Sequence, residues 1–457
     1  MEMNREKAIL LILLLIPITA SVYYACNMPV SYDEAWTFLN FTQKGFAASA
    51  THYPAPNNHV LHSLLTNVTY HFPHFLSFSN LFKLRLPVLI VYLFSLLAGY
   101  RFVARHFDKK LALATVAITS VFFLNLYYSY MSRGYALVNL FFILALTESF
   151  DIVKLENNTK HWIRFALFSI LGFYAMPSFL YPFVTLNIFI LYFLYKNVWK
   201  QLAANAFVIL GVVLLYLPIL INDGLSAITD NRYVKPTDWL QTLKTLPYFY
   251  PFTLAEISGI HWILLFILAI VSGWILIRSK DKITIVFALV VLSAPLLLMG
   301  LQRIVPFARV FCYLGFVFVL LLALPYRQWL YRIKSLYFIL GLVFIQGLLV
   351  FNFNRKIYAY ENKDLAANIT AAEIIPKIIG ENQYLFNFAL LQSNLEFELI
   401  DKRHKYHIES VNIPQMSADT ISGNDYIIIN KDFDRSKMTP MFQTPYYNIY
   451  KKNKHRR

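Results

Sequence analysis

AILLILLLIPITASVYYACNMPVSYDEAWTFLNF, residues 8–41, joins an uncharged apolar run to a turn carrying two adjacent acids, Asp33 and Glu34. An α-helix needs about 20 apolar residues to cross a bilayer, and residues 8–26 supply that length. Arg5 and Lys7 precede the run, so the positive-inside bias places the N-terminus in the cytoplasm. VYYAC faintly resembles a lipoprotein cleavage site, but two tyrosines before Ala25 and Cys26 fit it badly. The segment reads as an uncleaved anchor. Asp33 and Glu34 then stand at the outer membrane surface. The plain account of them is capping, because an acid ahead of AWTFLNF favours the positive end of a helix.

The rest of the chain repeats the first lesson. Its 457 residues are 58% hydrophobic, 17% aromatic and only 14% charged, with a mean hydropathy of +0.50. Soluble domains carry about 25% charged residues. Further apolar runs lie at about 85–103, 111–128, 136–150, 162–176, 180–195, 202–221, a stretch ending near 277, then 283–301, 307–324 and 336–353. With the first run they make about 11 transmembrane helices. The formal charge of +16 does not point to nucleic acid. Lys and Arg collect in the short connectors expected to face the cytoplasm, such as RHFDKK (105–110) and IRSKDK (277–282), and in the C-terminal region. That pattern is what membrane topology requires, and it gives an N-in, C-out chain. Two cysteines, Cys26 and Cys312, leave no basis for a disulfide framework or a cysteine zinc site.

The expected domains are a transmembrane catalytic unit, 1–353, and a small α/β soluble unit, 354–457. The first contains two large outer loops, 27–84 and 222–260. Residues 35–46 and 57–72 place apolar side chains at helical spacing beside polar ones, with Leu61, Leu64, Leu65 and Val68 on one face. Such helices lie along a membrane surface. After 354 the short runs QYLFNF, YHIESVNI, DYIIINK and YYNIYK alternate with polar turns and follow a helical pattern, as in a small sheet with flanking helices.

Polar residues gather on the outer rim. They include Tyr32, Asp33, Glu34, His52, Asn57, Asn58, His59 and His62, with Lys83 and Arg85 opening the second span. Arg133 follows the third, and Arg303 and Arg309 flank the tenth. Each alone is more simply structural, since arginines at interfaces snorkel. Together they set carboxylates, suited to proton abstraction, beside guanidinium groups, suited to phosphate oxygens. A site using both takes a phosphorylated reactant with a lipid end.

Three stretches carry a resemblance: SYDEAWTFLNF (31–41), NNHVLHSLL (57–65) and YMSRGYALVNLFFILAL (130–146). In order, they resemble the loop motifs of GT-C membrane glycosyltransferases of the family containing protein O-mannosyltransferases and the aminoarabinose transferases of lipid A. The chain departs from the family at Asn57, Asn58, His59 and Val60, where His-Pro-Pro is common. It also departs at PFARVFCYLGF (306–316), which keeps Arg309 but lacks the following Tyr. The resemblance implies a GT-C fold and a sugar carried on a polyprenyl phosphate. It implies transfer to a hydroxyl of a glycan, lipid or protein, with inversion, on the periplasmic side of a bacterial inner membrane. Asp33 would be the general base, with Glu34 beside it. Arg133, Arg309, Lys83 and Arg85 would hold the donor phosphate, and Tyr32, Trp36, Asn57, Asn58 and His59 the donor or acceptor. No cofactor is required by this scheme; a divalent metal on Asp33, Glu34 and His59 is left open. The alternatives are a ligase or polymerase of lipid-linked oligosaccharides, or a non-enzymatic transporter of lipid or sugar. A transporter would put ionisable groups mid-span, whereas here they cluster at span ends. The sugar, the acceptor and the oligomeric state are not legible.

Overall fold

The computed structural model describes residues 2–71, 78–154, 158–229, 235–278, 281–374, 382–386, 389–402, 404–410 and 424–451. Part of the helical pattern near 375–380 and the basic tail after Lys451 lie outside them. The helices in order are α1 (Glu2–Asn27), α2 (Tyr32–Thr37), α3 (Phe46–Thr51), α4 (Val60–His71), α5 (Asn80–His106), α6 (Lys109–Ser120), α7 (Phe123–Tyr127), α8 (Tyr135–Lys154), α9 (Thr159–Ala175) and α10 (Leu180–Leu194). There follow α11 (Val198–Asn222), α12 (Ser226–Thr229), α13 (Trp239–Ser258), α14 (Trp262–Arg278), α15 (Lys282–Gln302), α16 (Tyr313–Ala323), α17 (Arg327–Arg332), α18 (Ser335–Tyr360), α19 (Asn362–Ile374) and α20 (Ala389–Asp401).

Eight helical stretches among the described residues are long and apolar enough to cross a membrane, or nine if α13 and α14, bent by 108°, form one broken span. The chain is an integral membrane protein. The expected count of about 11 also takes in apolar runs that form shorter or broken helices. The run at 111–128 breaks after Ser120 into a 12-residue and a 5-residue helix. The run at 162–176 yields the 17-residue α9, which stops at an extended Met176 before Pro177, as the residue preceding a proline favours. The 222–260 loop is itself largely the 20-residue α13. α18 continues to Tyr360, seven residues past the expected domain boundary at 353.

Packing between helices in lipid depends on close approach more than on expulsion of water. Gly172 shows it: a Cβ there would meet the Phe179 ring at 2.5 Å, so only glycine lets that ring sit on α9. Farther down, Phe150 contacts Phe102, Phe189 and Phe287 with ring centroids 5.2 Å away in each case. Each such pair adds about 0.5–1.5 kcal/mol, and together they tie α5, α8, α10 and α15.

The soluble unit is a five-stranded mixed sheet in the order β2-β1-β3-β5-β4. Its strands are β1 (Asn382–Phe386), β2 (Tyr406–Ser410), β3 (Tyr426–Asn430), β4 (Phe442–Gln443) and β5 (Tyr447–Lys451). The β1–β2 and β1–β3 pairs are parallel and the β5 pairs antiparallel. Alternation along the strands sends Tyr384, Phe386, Tyr426 and Ile428 to one face, with leucines of α20, and Leu385, Ile427 and Ile429 to the other. This unit seats on the first loop. Phe397 of α20 packs edge-on against Phe38, centroids 5.0 Å apart. Asn368 and Asn394 both donate to the carbonyl of Val30, at 2.6 and 3.1 Å.

Candidate active site

Ser31, Tyr32, Asp33 and Glu34 form a capping box. The Ser31 hydroxyl accepts from the Glu34 amide and the Glu34 carboxylate accepts from the Ser31 amide at 3.0 Å. The cap of α2 is therefore Ser31, with Asp33 in the first turn, and the two acids part company. Glu34 turns inward, where Arg85 meets it with a bidentate fork: Nε to Oε1 at 2.9 Å and Nη2 to Oε2 at 2.7 Å. The Ser132 amide completes the shell at 2.7 Å. Both side chains are fully buried. Burial alone would push the Glu34 carboxyl up, but Arg85 and the two amides outweigh it and hold the group below its ordinary range. Arg85 also donates to the carbonyls of Ala25, Met28 and Pro29 at 3.1, 2.7 and 2.8 Å, closing the C-terminal end of α1.

Two expectations are corrected here. Glu34 has no oxygen free for a reactant, and Arg85 has no donor free for a phosphate. The metal set Asp33, Glu34 and His59 is not assembled either, for the same reason.

Asp33 faces the other way, with 38% of its side chain exposed. Arg133 Nη2 stands 3.4 Å from its Oδ2, and Arg133 Nη1 donates to the Asn57 side chain. Asn57 in turn donates to the Asp33 carbonyl at 3.3 Å and to the Thr37 hydroxyl at 3.2 Å. The loop before α8, the loop before α4 and α2 are thus locked round one carboxylate. They open on a cavity of roughly 790 Å³, within the range of ligand pockets. Tyr32, Asp33, Trp36, Asn57, His59, Arg133 and Arg309 all line it. Arg309 stacks over Phe307 at 4.7 Å and makes no ion pair among the described residues, yet it lies in electrostatic reach of Asp33.

His59 accepts the Gly134 amide on Nδ1 at 2.8 Å, which leaves Nε2–H as its free edge. A Cβ at Gly134 would stand 2.9 Å from that of His59, so the motif needs glycine there. Burial, reinforced by Arg133, His62 and Arg309, drives His59 well below the usual imidazole range. His62, beside Ser132 Oγ at 3.3 Å, is pushed down to about 3 by burial and Arg133. Both are neutral rings near pH 7.

The remaining expected residues do not reach the cavity. Lys83 is half-buried away from the lining, and Arg303 is exposed. Asn58 is fully buried in the loop, donating to the carbonyls of Ser49 and His52 at 3.0 and 2.8 Å, so it shapes the turn and binds nothing. Sequence reasoning missed Tyr53, Tyr135, Tyr181, Lys235 and Gln302, which also line the cavity. Tyr135 stood within the quoted SRGYAL stretch; the others lie in loops or at helix ends without periodic signal. A second cavity, about 770 Å³, shares the wall formed by Tyr53, Ala55 and Pro56, with Lys44, His52 and Asp223 on its far side.

No family model matches the chain, and no curated protein resembles it in sequence. Solved structures do resemble it in shape. ArnT from Cupriavidus metallidurans in the apo state aligns over 98% of this chain and 98% of its own, with a TM-score of 0.66 and 10% identity. The same protein bound to undecaprenyl phosphate aligns over 97% of each chain, with a TM-score of 0.64 and 10% identity. The likeness extends over nearly the whole of both chains, and the chain has the GT-C fold.

Proposed function

We propose that the protein is an integral-membrane glycosyltransferase that moves a sugar from a polyprenyl phosphate to a hydroxyl acceptor, with inversion at the anomeric carbon. The observation that carries this reading is the lining of the cavity. Asp33 is its one carboxylate among the described residues, and Arg133, Arg309 and Lys235 are its cations. The ArnT structure of the same fold, bound to undecaprenyl phosphate, supports a lipid phosphate as the donor.

In this scheme the acceptor hydroxyl loses its proton to an Asp33 carboxylate oxygen as its own oxygen bonds to the anomeric carbon. The bond from that carbon to the phosphate oxygen breaks, and the released polyprenyl phosphate takes the negative charge. Arg309 and Lys235 receive that charge, where preorganised cations stabilise a transition state most. Arg133 keeps Asp33 aimed. His59, a neutral donor through Nε2–H, contacts sugar or phosphate. Trp36 and Tyr32 supply flat faces for a sugar ring. The cavity beyond Tyr53 admits the acceptor. The N-terminus is cytoplasmic in this reading, and the site and the C-terminal unit face the periplasm of a bacterial inner membrane.

The test is release of free polyprenyl phosphate by purified protein given a panel of undecaprenyl-phosphate monosaccharides and a cell-envelope extract as acceptor. Release that depends on acceptor and vanishes in Asp33→Asn supports the reading. Release of polyprenyl pyrophosphate from pyrophosphate-linked oligosaccharide donors instead would replace it with the ligase.

A further inference from the structure

A third cavity, of about 40 Å³, lies among α5, α6, α7, α8 and α16. The residues that line it are buried, apart from the half-buried Asn139. It neighbours the candidate active site. Tyr128 lines it, with its ring centroid 4.2 Å from that of Tyr135, which lines the larger cavity.

Some of its polar groups are satisfied by nearby backbone. The Tyr92 hydroxyl donates to the Ser120 carbonyl, Ser95 to that of Val91 and Ser120 to that of Ala117. Four other oxygens have no such relief. Thr119 Oγ1, Asn125 Oδ1, Asn139 Oδ1 and the Tyr313 hydroxyl make no hydrogen bond among the described residues. Thr119, Asn125 and Tyr313 are only 5%, 7% and 1% exposed, and all four residues line the cavity. Buried polar atoms without partners are rare, and lipid offers no water from outside to satisfy them. The four come from α6, α7, α8 and α16, so one occupant between them could serve all of them at once.

The chemistry of the lining selects that occupant. The two amide oxygens accept, while the two hydroxyls donate as well as accept. A suitable ligand must therefore do both. No Asp, Glu, Lys or Arg is among the described residues of the lining, so nothing there balances an ion. An acyl tail would leave all four oxygens unpaired. Water donates twice and accepts twice, and a molecule needs only about 10–15 Å³, so the space takes roughly three.

We propose that this cavity binds a small cluster of ordered water molecules that bridge Thr119, Asn125, Asn139 and Tyr313 and join α6, α7, α8 and α16 inside the membrane. The cluster is a structural ligand with a consequence for the neighbouring site. Tyr313 opens α16 directly after the turn that carries Arg309, and Tyr128 rests on Tyr135, so the water braces two parts of the larger cavity's wall. The inference rests on the orphaned oxygens and does not depend on the proposed activity.

The experiment uses the full-length chain in lipid nanodiscs. A short X-ray pulse converts bound water to hydroxyl radicals where it sits, and mass spectrometry reads which side chains are oxidised. Tyr313 and Phe316, which line the cavity, should be oxidised several-fold faster than Phe150 and Phe287, which are buried against each other. Thr119→Val combined with Asn139→Leu replaces a hydroxyl and an amide by apolar groups of similar size. Oxidation of Phe316 should then fall to the level of Phe150. If that double variant does not fold, the wild type still decides. Its crystals grown from a lipid mesophase should show water within hydrogen-bond reach of at least two of the four oxygens. Equal oxidation of Phe316 and Phe150 in the wild type, a lipid or detergent tail in the cavity, or undiminished oxidation in the folded double variant each overturns the proposal.

Discussion

Two ion pairs stand side by side on the first turn of α2, made from consecutive acids, and they do opposite things. Glu34–Arg85 is a closed pair: fully buried, bidentate, with amides on the remaining lone pairs. Asp33–Arg133 is an open pair: a single 3.4 Å contact, with the carboxylate 38% exposed to a cavity. A closed pair can only hold the chain in shape. An open one keeps a charged oxygen oriented and within reach of a reactant. The fold makes both from one turn because successive helical residues point about 100° apart, so the neighbour of a buried acid faces elsewhere.

The sharpest way to break the comparison is to neutralise each acid in turn. Asp33→Asn should lower transfer by about 10²- to 10⁴-fold, the contribution of a positioned base. Its unfolding should change by less than about 1 kcal/mol, as for an exposed pair. Measured rates and detergent melting curves on the same preparation check both halves. Glu34→Ala should do the reverse in kind. It strands the Arg85 guanidinium, and removing one partner of a buried pair costs about 3–5 kcal/mol, seen as lost melting temperature and poor yield before any rate is measured. Normal folding with lost transfer in Glu34→Ala would merge the two roles.

Arg309→Ala sharpens the open side. A hydrogen bond to a charged group is worth about 1.5–3 kcal/mol, so binding of undecaprenyl phosphate by native mass spectrometry should weaken by roughly 10-fold or more. Arg85→Ala, where it folds at all, should bind as wild type. The smallest effect concerns pH. His62 is held at about 3 against an ordinary 6.5. Between those values the unfolded chain binds a proton that the folded one refuses, so stability is complete above 6.5 and falls as the pH drops towards 3. The slope from this group is at most about 1.4 kcal/mol per pH unit. Melting temperatures from pH 7 down to pH 4 should decline less steeply in His62→Gln; an equal decline would show that the ring is not neutral and buried in solution.

Much of this was legible without coordinates. Apolar length marked the spans, and several of the outer-rim residues, Asp33, Asn57, His59, Arg133 and Arg309 among them, line one cavity. The division of labour between Asp33 and Glu34 was harder. Yet Ser31 and Glu34 stand three apart, the spacing of a capping box, and that pattern was available to show which acid was structural. Lys83 and Arg85 could not be told apart by type. Two residues along a helix point nearly opposite ways, and only packing decides which one faces inward. Asn58 looked like Asn57 because a loop has no period to separate a side chain that binds its own backbone from one that faces a cavity. Lys235 and Tyr53 were invisible for that reason too. The 111–128 run read as one span because its apolar composition continues through the turn at 121–122 that divides α6 from α7.

Val30 accepts hydrogen bonds from Asn368 and Asn394, partners 338 and 364 residues downstream. These two braces of the acid-bearing turn are therefore synthesised after the membrane-spanning candidates among the described residues. A chain that ends before Asn368 lacks both donors to Val30, although Arg85 and Ser132 still hold Glu34. The last two contacts on the turn thus form only after the C-terminal unit has emerged.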